Sequence, residues 1–238
     1  MGFEQLALRG TGRPLHRSFS ARVSRFVPGM QFGQAGAAST AQRISEAFKR
    51  GRRTTLVSSL RGDTAVSETI FTVGHSTRSS DEFLDVLEAY GVEIVADIRR
   101  MPGSRRLPQF DASTLGDSLA GLGIDYCWIA QLGGRRRPDP QSPNTGWRHA
   151  AFRAYADHML TDEFADGLFE LLMLASGRRT AVMCAEVLWW RCHRRLVADV
   201  LVVLGLEVVH IFNTEKHEAH RLAAPARLVG GNLSYESP

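Results

Sequence analysis

From Thr180 to Leu204 the chain changes its hydrophobic period once, and the change limits the architectures open to it. Thr180-Ala-Val-Met-Cys184 is an apolar run too short for a helix, as expected of a strand buried on both faces. Leu196, Val197, Val200, Leu201 and Leu204 then recur at helical spacing. A buried strand feeding an amphipathic helix is half of a βαβ unit, the connection that parallel sheets require. Between the two lies a polar corner, Glu186 and then Arg191-Cys192-His193-Arg194. With Cys184 it holds two of the chain's three cysteines.

The same alternation begins at Thr69. Ile70-Phe71-Thr72-Val73 reads as a strand ending at Gly74-His75-Ser76. Ser79 and Glu82 have capping-box spacing and open a helix with Phe83, Leu84, Leu87 and Tyr90 on its apolar face, stopped by Gly91. Residues 92–98 form a second buried strand, with Asp97 and Arg99 at its exit. A loop carrying Pro102, Ser104, Arg105, Arg106 and Pro108 follows. Leu115, Leu119 and Leu122 mark a helix, residues 124–129 a third strand, and residues 133–146 an Arg/Pro/Gly loop longer than a connection needs. Helical pattern resumes over about 150–175, with Thr161 as a break and fresh cap, and residues 206–212 give a fifth strand. Beyond Asn213 the chain reads as polar. The expected fold is a three-layer α/β domain over residues 67–222. Its mostly parallel five-stranded sheet carries helices on both faces, joined by right-handed crossovers, and a polar tail follows at 223–238.

Charge separates this domain from what precedes it. Residues 1–66 hold 11 of the 29 Lys/Arg and 3 of the 25 Asp/Glu, which leaves 18 against 22 for the rest. The net charge of +4 therefore belongs to a segment rich in Arg, Ser and Gly that lacks sustained periodicity. It is expected to be disordered or a start-site artefact; an organellar transit peptide shares its composition. No apolar run reaches the roughly 18–20 residues that span a bilayer, so no membrane partner is expected. Three cysteines without a disulfide framework place the protein in a reducing cytoplasm.

In parallel α/β sheets ligands bind beyond the carboxyl ends of strands. His75-Ser76, Asp97 with Arg99, and Cys184 with Glu186 all follow such ends. Cys184 reads as either a nucleophile, its thiolate favoured by a helix N-terminus and by Arg191, Arg194 or His193, or a buried structural thiol. Arg191 comes one residue too late for the Cys-x5-Arg loop of thiol phosphatases. Cys192 reads as core packing, a resolving thiol or a ligand. His75 is either functional or turn-stabilising. Asp97 and Arg99 alternate along their strand, so one is expected to face a ligand and the other its structural neighbours. Ser76 and Ser104 either bind an anion or cap helices. Arg135-Arg136-Arg137 reads as a solvated loop or as one that closes over a phosphate. Cys184, Cys192 and His193 with His75 or Glu186 would suit zinc by ligand type, but Cys-x7-Cys-His is not a tight knuckle spacing, and no metal site is expected. The residues name no cofactor.

Thr72-Val-Gly-His-Ser, Asp97-Ile-Arg with Pro102-x-Ser104, Gln109-Phe110, Leu132-Gly-Gly-Arg, Phe152-x-x-Tyr155-Ala-Asp-x-Met159 and Cys184-Ala-Glu-x5-Cys192-His-Arg together resemble the domain of unknown function 488 family. The likeness runs from about residue 70 to 212. It implies an α/β domain of mostly bacterial and archaeal distribution with no settled activity. Many relatives carry a more acidic or proline-containing segment where this chain has Val187-Leu-Trp-Trp-Arg.

The expectation is a thiol-centred enzyme acting on a small anionic substrate, nucleotide-like or phosphorylated. Its catalytic groups are Cys184, Glu186, His75 and Asp97, and its binding groups are Ser76, Arg99, Ser104, Cys192, His193 and Arg194. The alternatives are a non-catalytic nucleotide or nucleic-acid binding module assisted by the basic extension, and a zinc-stabilised domain.

Overall fold

Among the described residues the first strand is Thr69-Ile-Phe-Thr-Val-Gly74. The computed structural model describes residues 69–238, so the expectations for residues 1–66 lie outside the described residues. Six strands form one sheet: β1 (Thr69–Gly74), β2 (Ile94–Asp97), β3 (Asp125–Trp128), β4 (Thr180–Cys184), β5 (Glu207–Ile211) and β6 (His217–Ala219). Their order across the sheet is β3-β2-β4-β1-β5-β6, parallel except for β6, which runs against β5. A separate antiparallel pair joins β7 (Arg227–Val229) to β8 (Asn232–Ser234).

Five strands were expected, and the sixth lies beyond Asn213, in what reads as polar chain. His217-Glu218-Ala219 is short, exposed on every residue and lacks alternation, so no periodic signal marks it. The segment after it is not a tail either. Ala223, Leu233 and Tyr235 are buried in the core.

Local chemistry sets the helices. At α1 (Ser80–Ala89) the Ser79 hydroxyl accepts from the Glu82 backbone and the Glu82 carboxylate accepts from the Ser79 backbone at 2.8 Å, the full capping box. Asp111 caps α2 (Ala112–Ala120), and Thr161 caps α4 (Asp162–Leu174) just after α3 (Ala150–His158) ends. α5 (Arg194–Val203) follows β4.

Alternate residues of each strand feed two cores. Ile70, Ile94, Ala96, Val182 and Cys184 pack with residues of α3, α4 and α5. Phe71, Val73, Val95, Ala181 and Met183 pack with Phe83, Leu87, Leu115 and Leu119 of α1 and α2. The chain therefore leaves β1 and β2 toward one face and leaves β4, which lies between them, toward the other. That divergence opens a crevice at the end of β4.

Candidate functional site

Main-chain bonds hold the end of β4 in place. The His75 amide donates to the Cys184 carbonyl (3.0 Å) and the Ser76 amide to that of Ala185 (2.8 Å), so β1 and β4 stay joined beyond their last paired residues. Gly74 is the crossing point. A Cβ there would lie 2.0 Å from the Glu186 carbonyl oxygen, leaving no room for any side chain. Beyond it, Arg194 turns back from the first turn of α5 and donates to the carbonyls of Glu186 (2.6 Å) and Val187 (3.1 Å), pinning the cysteine loop from below. Arg194 is 1% exposed, and its Nε and Nη1 have no hydrogen-bond partner among the described residues.

His193 stands between the two thiols. Its Nδ1 is 3.9 Å from the Cys184 sulfur and 3.6 Å from the Cys192 sulfur. Its Nε2 lies 3.1 Å from the Ile98 carbonyl, which only accepts, so the proton sits on Nε2 and the Nδ1 lone pair faces both sulfurs. The ring has no slack: a Cβ on Gly134 would sit 2.7 Å from Nδ1, and Tyr155 packs with its ring centroid 5.0 Å away. The Cys192 sulfur also accepts the Arg194 backbone N–H at the start of α5 (3.5 Å). Burial would push this thiol up, but the Cys184 bond, the Arg194 charge and that N–H outweigh it and carry Cys192 below the ordinary thiol range. Cys184 moves upward, because its hydrogen bond with Cys192 and its burial both favour the protonated form. The two shifts together make Cys192 the thiol that gives up its proton more readily.

Two lobes of a cleft meet at these groups. The larger, about 750 Å³, is bounded by Ser76, Glu186, Phe152, Tyr155, Trp190 and Arg191 as well as both cysteines and His193. The smaller, about 280 Å³, adds Arg99, Arg100 and Gly134. Arg135, Cys184, Ala185 and His193 border both. Arg135 reaches this position through a left-handed backbone (φ 57°), while its neighbour Arg136 turns away to pair with Glu163 at 3.0 Å.

Asp97, Arg99 and His75 form a second cluster, which reaches the cleft through Arg99 alone. The Asp97 carboxylate accepts from Arg99 Nε and Nη2 (2.9 and 2.6 Å) and from the Tyr126 hydroxyl (2.7 Å). Arg99 and Asp97 do not divide between a ligand and structural neighbours as expected: positions two apart share one face of an extended chain, and here they pair. Arg99 Nη1 donates to the Phe110 carbonyl (2.7 Å) and lies 3.3 Å from His75 Nε2. His75 Nδ1 donates to the Ser76 carbonyl (2.9 Å) and its ring stacks on Phe110 at 4.1 Å. Burial, with smaller effects from nearby charges, lowers His75 to about 4, so it is neutral at ordinary pH. His75 and Asp97 border neither lobe of the cleft. Ser104 accepts from the Leu107 amide (3.0 Å), a turn bond within its own loop.

A buried chain of polar groups escaped the sequence reading. Thr72 Oγ1 lies 2.7 Å from His210 Nδ1, His210 Nε2 lies 2.9 Å from His220 Nδ1, and His220 Nε2 lies 2.8 Å from Asp199. The Tyr235 hydroxyl donates to the other Asp199 oxygen at 2.7 Å. Trp189 of the cysteine loop stacks on His210 at 4.2 Å. His210 sits inside an apolar strand and His220 beyond the last predicted element, so periodicity carried no sign of either.

Fold and site together define an α/β domain with a cysteine–histidine corner at its topological crevice. Residues 79–201, just over half of the chain, match the family model described as domain of unknown function DUF488, and the chain belongs to that family. No curated protein and no solved structure matches it. Among the described residues no helix is long and apolar enough to cross a membrane.

Proposed function

We propose that this protein is a thiol-dependent enzyme acting on a small anionic substrate, nucleotide-like or phosphorylated. The observation that carries this reading is the His193 lone pair facing two sulfurs at the head of α5, on the wall of an open cleft. Cys192 is the nucleophile in this proposal, in place of Cys184, because it is the thiol bonded to the helix N-terminus and the closer of the two to Nδ1. Its proton passes to His193 Nδ1 as the sulfur attacks an electrophilic carbon or phosphorus. The leaving group departs with that proton, and the substrate fragment remains bound to sulfur. Water then cleaves the sulfur bond: its hydroxyl joins the substrate fragment, and its other proton passes through His193 to the departing sulfur, which restores the thiol and the neutral ring. Glu186, exposed at the cleft, serves as a second proton acceptor there.

Arg100, Arg135 and Arg191 supply the positive lining that an anionic group requires. Ser76 offers a hydroxyl to the same group. Arg99 adds to that lining at the smaller lobe, and Asp97 and His75 act as positioning residues behind it.

Iodoacetamide labelling of the full chain at neutral pH, mapped by mass spectrometry, tests the proposal. Cys192 should be alkylated first and Cys127 last. A panel of phosphate esters and thioesters should show one turnover activity that is lost in Cys192→Ser. Uniformly slow labelling of all three cysteines, or an activity that survives Cys192→Ser, overturns it. Nucleotide binding without turnover would favour the binding-module alternative.

A further inference from the structure

We propose that Cys184, Cys192 and His193 form a three-ligand site for a thiophilic metal ion of the zinc class, with the fourth coordination position open to the cleft. The three ligand atoms lie within 4.8 Å of one another. A tetrahedral ion with metal–sulfur and metal–nitrogen bonds of about 2.3 and 2.0–2.1 Å holds such atoms roughly 3.5–3.8 Å apart. Of the two observed sulfur–nitrogen distances, 3.6 Å already matches such an edge and 3.9 Å needs only a slight shortening. The Nε2 bond to the Ile98 carbonyl matters equally, because it fixes the proton on the nitrogen that faces away from the sulfurs. Metal-bound histidines are oriented by this kind of second bond. Two sulfurs and an imidazole select zinc or copper(I) over magnesium or calcium, which prefer oxygen.

The residues weighed from sequence as a fourth ligand are otherwise bonded. Both ring nitrogens of His75 are engaged, one at the Ser76 carbonyl and the other at Arg99. The Glu186 carboxylate accepts from the Leu188 amide at 3.2 Å. Closed structural zinc sites have four protein ligands, whereas three ligands beside a cleft leave a place for water or a ligand group. The site is therefore not expected to hold the fold together, in contrast to a zinc-stabilised domain. The inference does not depend on the thiol chemistry proposed above; a bound ion would occupy the same sulfurs and silence it.

The test is cobalt(II) titration of the full chain after dialysis against a chelator. One equivalent should produce a sulfur-to-cobalt charge-transfer band and the intense visible bands of a tetrahedral site, and zinc should abolish both. Cys184→Ser, Cys192→Ser and His193→Ala should each weaken cobalt binding at least about tenfold. Thermal melts of the variants and of the metal-free protein should show a retained fold. Zinc should also protect Cys184 and Cys192, but not Cys127, from iodoacetamide. A weak octahedral spectrum, or binding unchanged by the three substitutions, overturns the inference. Unfolding of the chelator-treated protein overturns the open-site assignment. If cobalt fails to bind while Cys192 is alkylated first, the metal inference falls and the thiol-enzyme proposal stands. If cobalt binds as described but metal-free Cys192 is inert and no activity depends on it, the reverse holds.

Discussion

Replacing Gly134 with alanine isolates the position of one ring. The backbone there is not left-handed, so alanine meets no conformational penalty, and the whole effect is steric. The new methyl would lie 2.7 Å from His193 Nδ1 and 3.0 Å from Cγ, and reaching an ordinary 3.4 Å contact requires a shift of about 0.7 Å. His193 cannot swing aside freely, because Ile98 holds Nε2 and Tyr155 packs against the ring. Overpacking of this kind costs about 1–3 kcal/mol, which for a domain of this size lowers Tm by roughly 2–10 °C. Misplacing a reacting group by about 1 Å can cost on the order of 10²-fold in rate, so Cys192 alkylation should slow by at least about tenfold. Scanning calorimetry and timed iodoacetamide labelling at fixed pH measure both effects. The decisive comparison is the double variant Gly134→Ala with His193→Ala. If the methyl strikes the imidazole, removing the imidazole relieves the clash, and the double variant should be no less stable than His193→Ala alone. Strictly additive losses would refute the placement of His193 against Gly134, and with it the geometry of the thiol corner.

Asp97→Asn should destabilise the fold by about 3–5 kcal/mol, because it removes the carboxylate that neutralises a buried Arg99. Urea unfolding measures this, and a stable but inactive variant would instead make Asp97 a catalytic base. His158 is buried, and desolvation lowers its folded-state pKa from 6.5 to about 4. The unfolded chain therefore binds the extra proton between those values. Stability is fully present above about pH 6.5 and falls by on the order of 3 kcal/mol as pH drops to about 4. His158→Phe should flatten that part of the urea-midpoint profile, and an unaltered slope would exclude His158 as its source.

The strand ends and the cysteine corner were legible because they depend on order along the chain. The apolar run 180–184, the capping pair Ser79 and Glu82, and the cap at Thr161 each act over a few residues and leave a local trace. Which side chains meet across the sheet depends on where each strand stops, and that leaves no such trace. Asp97 and Arg99 are the local exception: positions two apart share a face of an extended chain, and they bond there. His193, rather than His75, reaches the thiols because its helix starts on the face toward which Cys184 points. His210 and His220 are ten positions apart and meet only because β6 folds back along β5.

The position of β1 has a practical bearing on how the chain can be divided. It lies between β4 and β5, yet it precedes the first residue matched by the family model, and β5 follows the last. A fragment trimmed to 79–201 would keep β3, β2 and β4 but expose the flank of β4 as a bare edge, with Cys184 at its tip. Such an edge recruits other chains, so the trimmed piece should aggregate through the very strand that carries the thiol. A usable fragment must reach back to Thr69, which restores β1 beside β4, and forward past Tyr235, whose ring is buried in the same core.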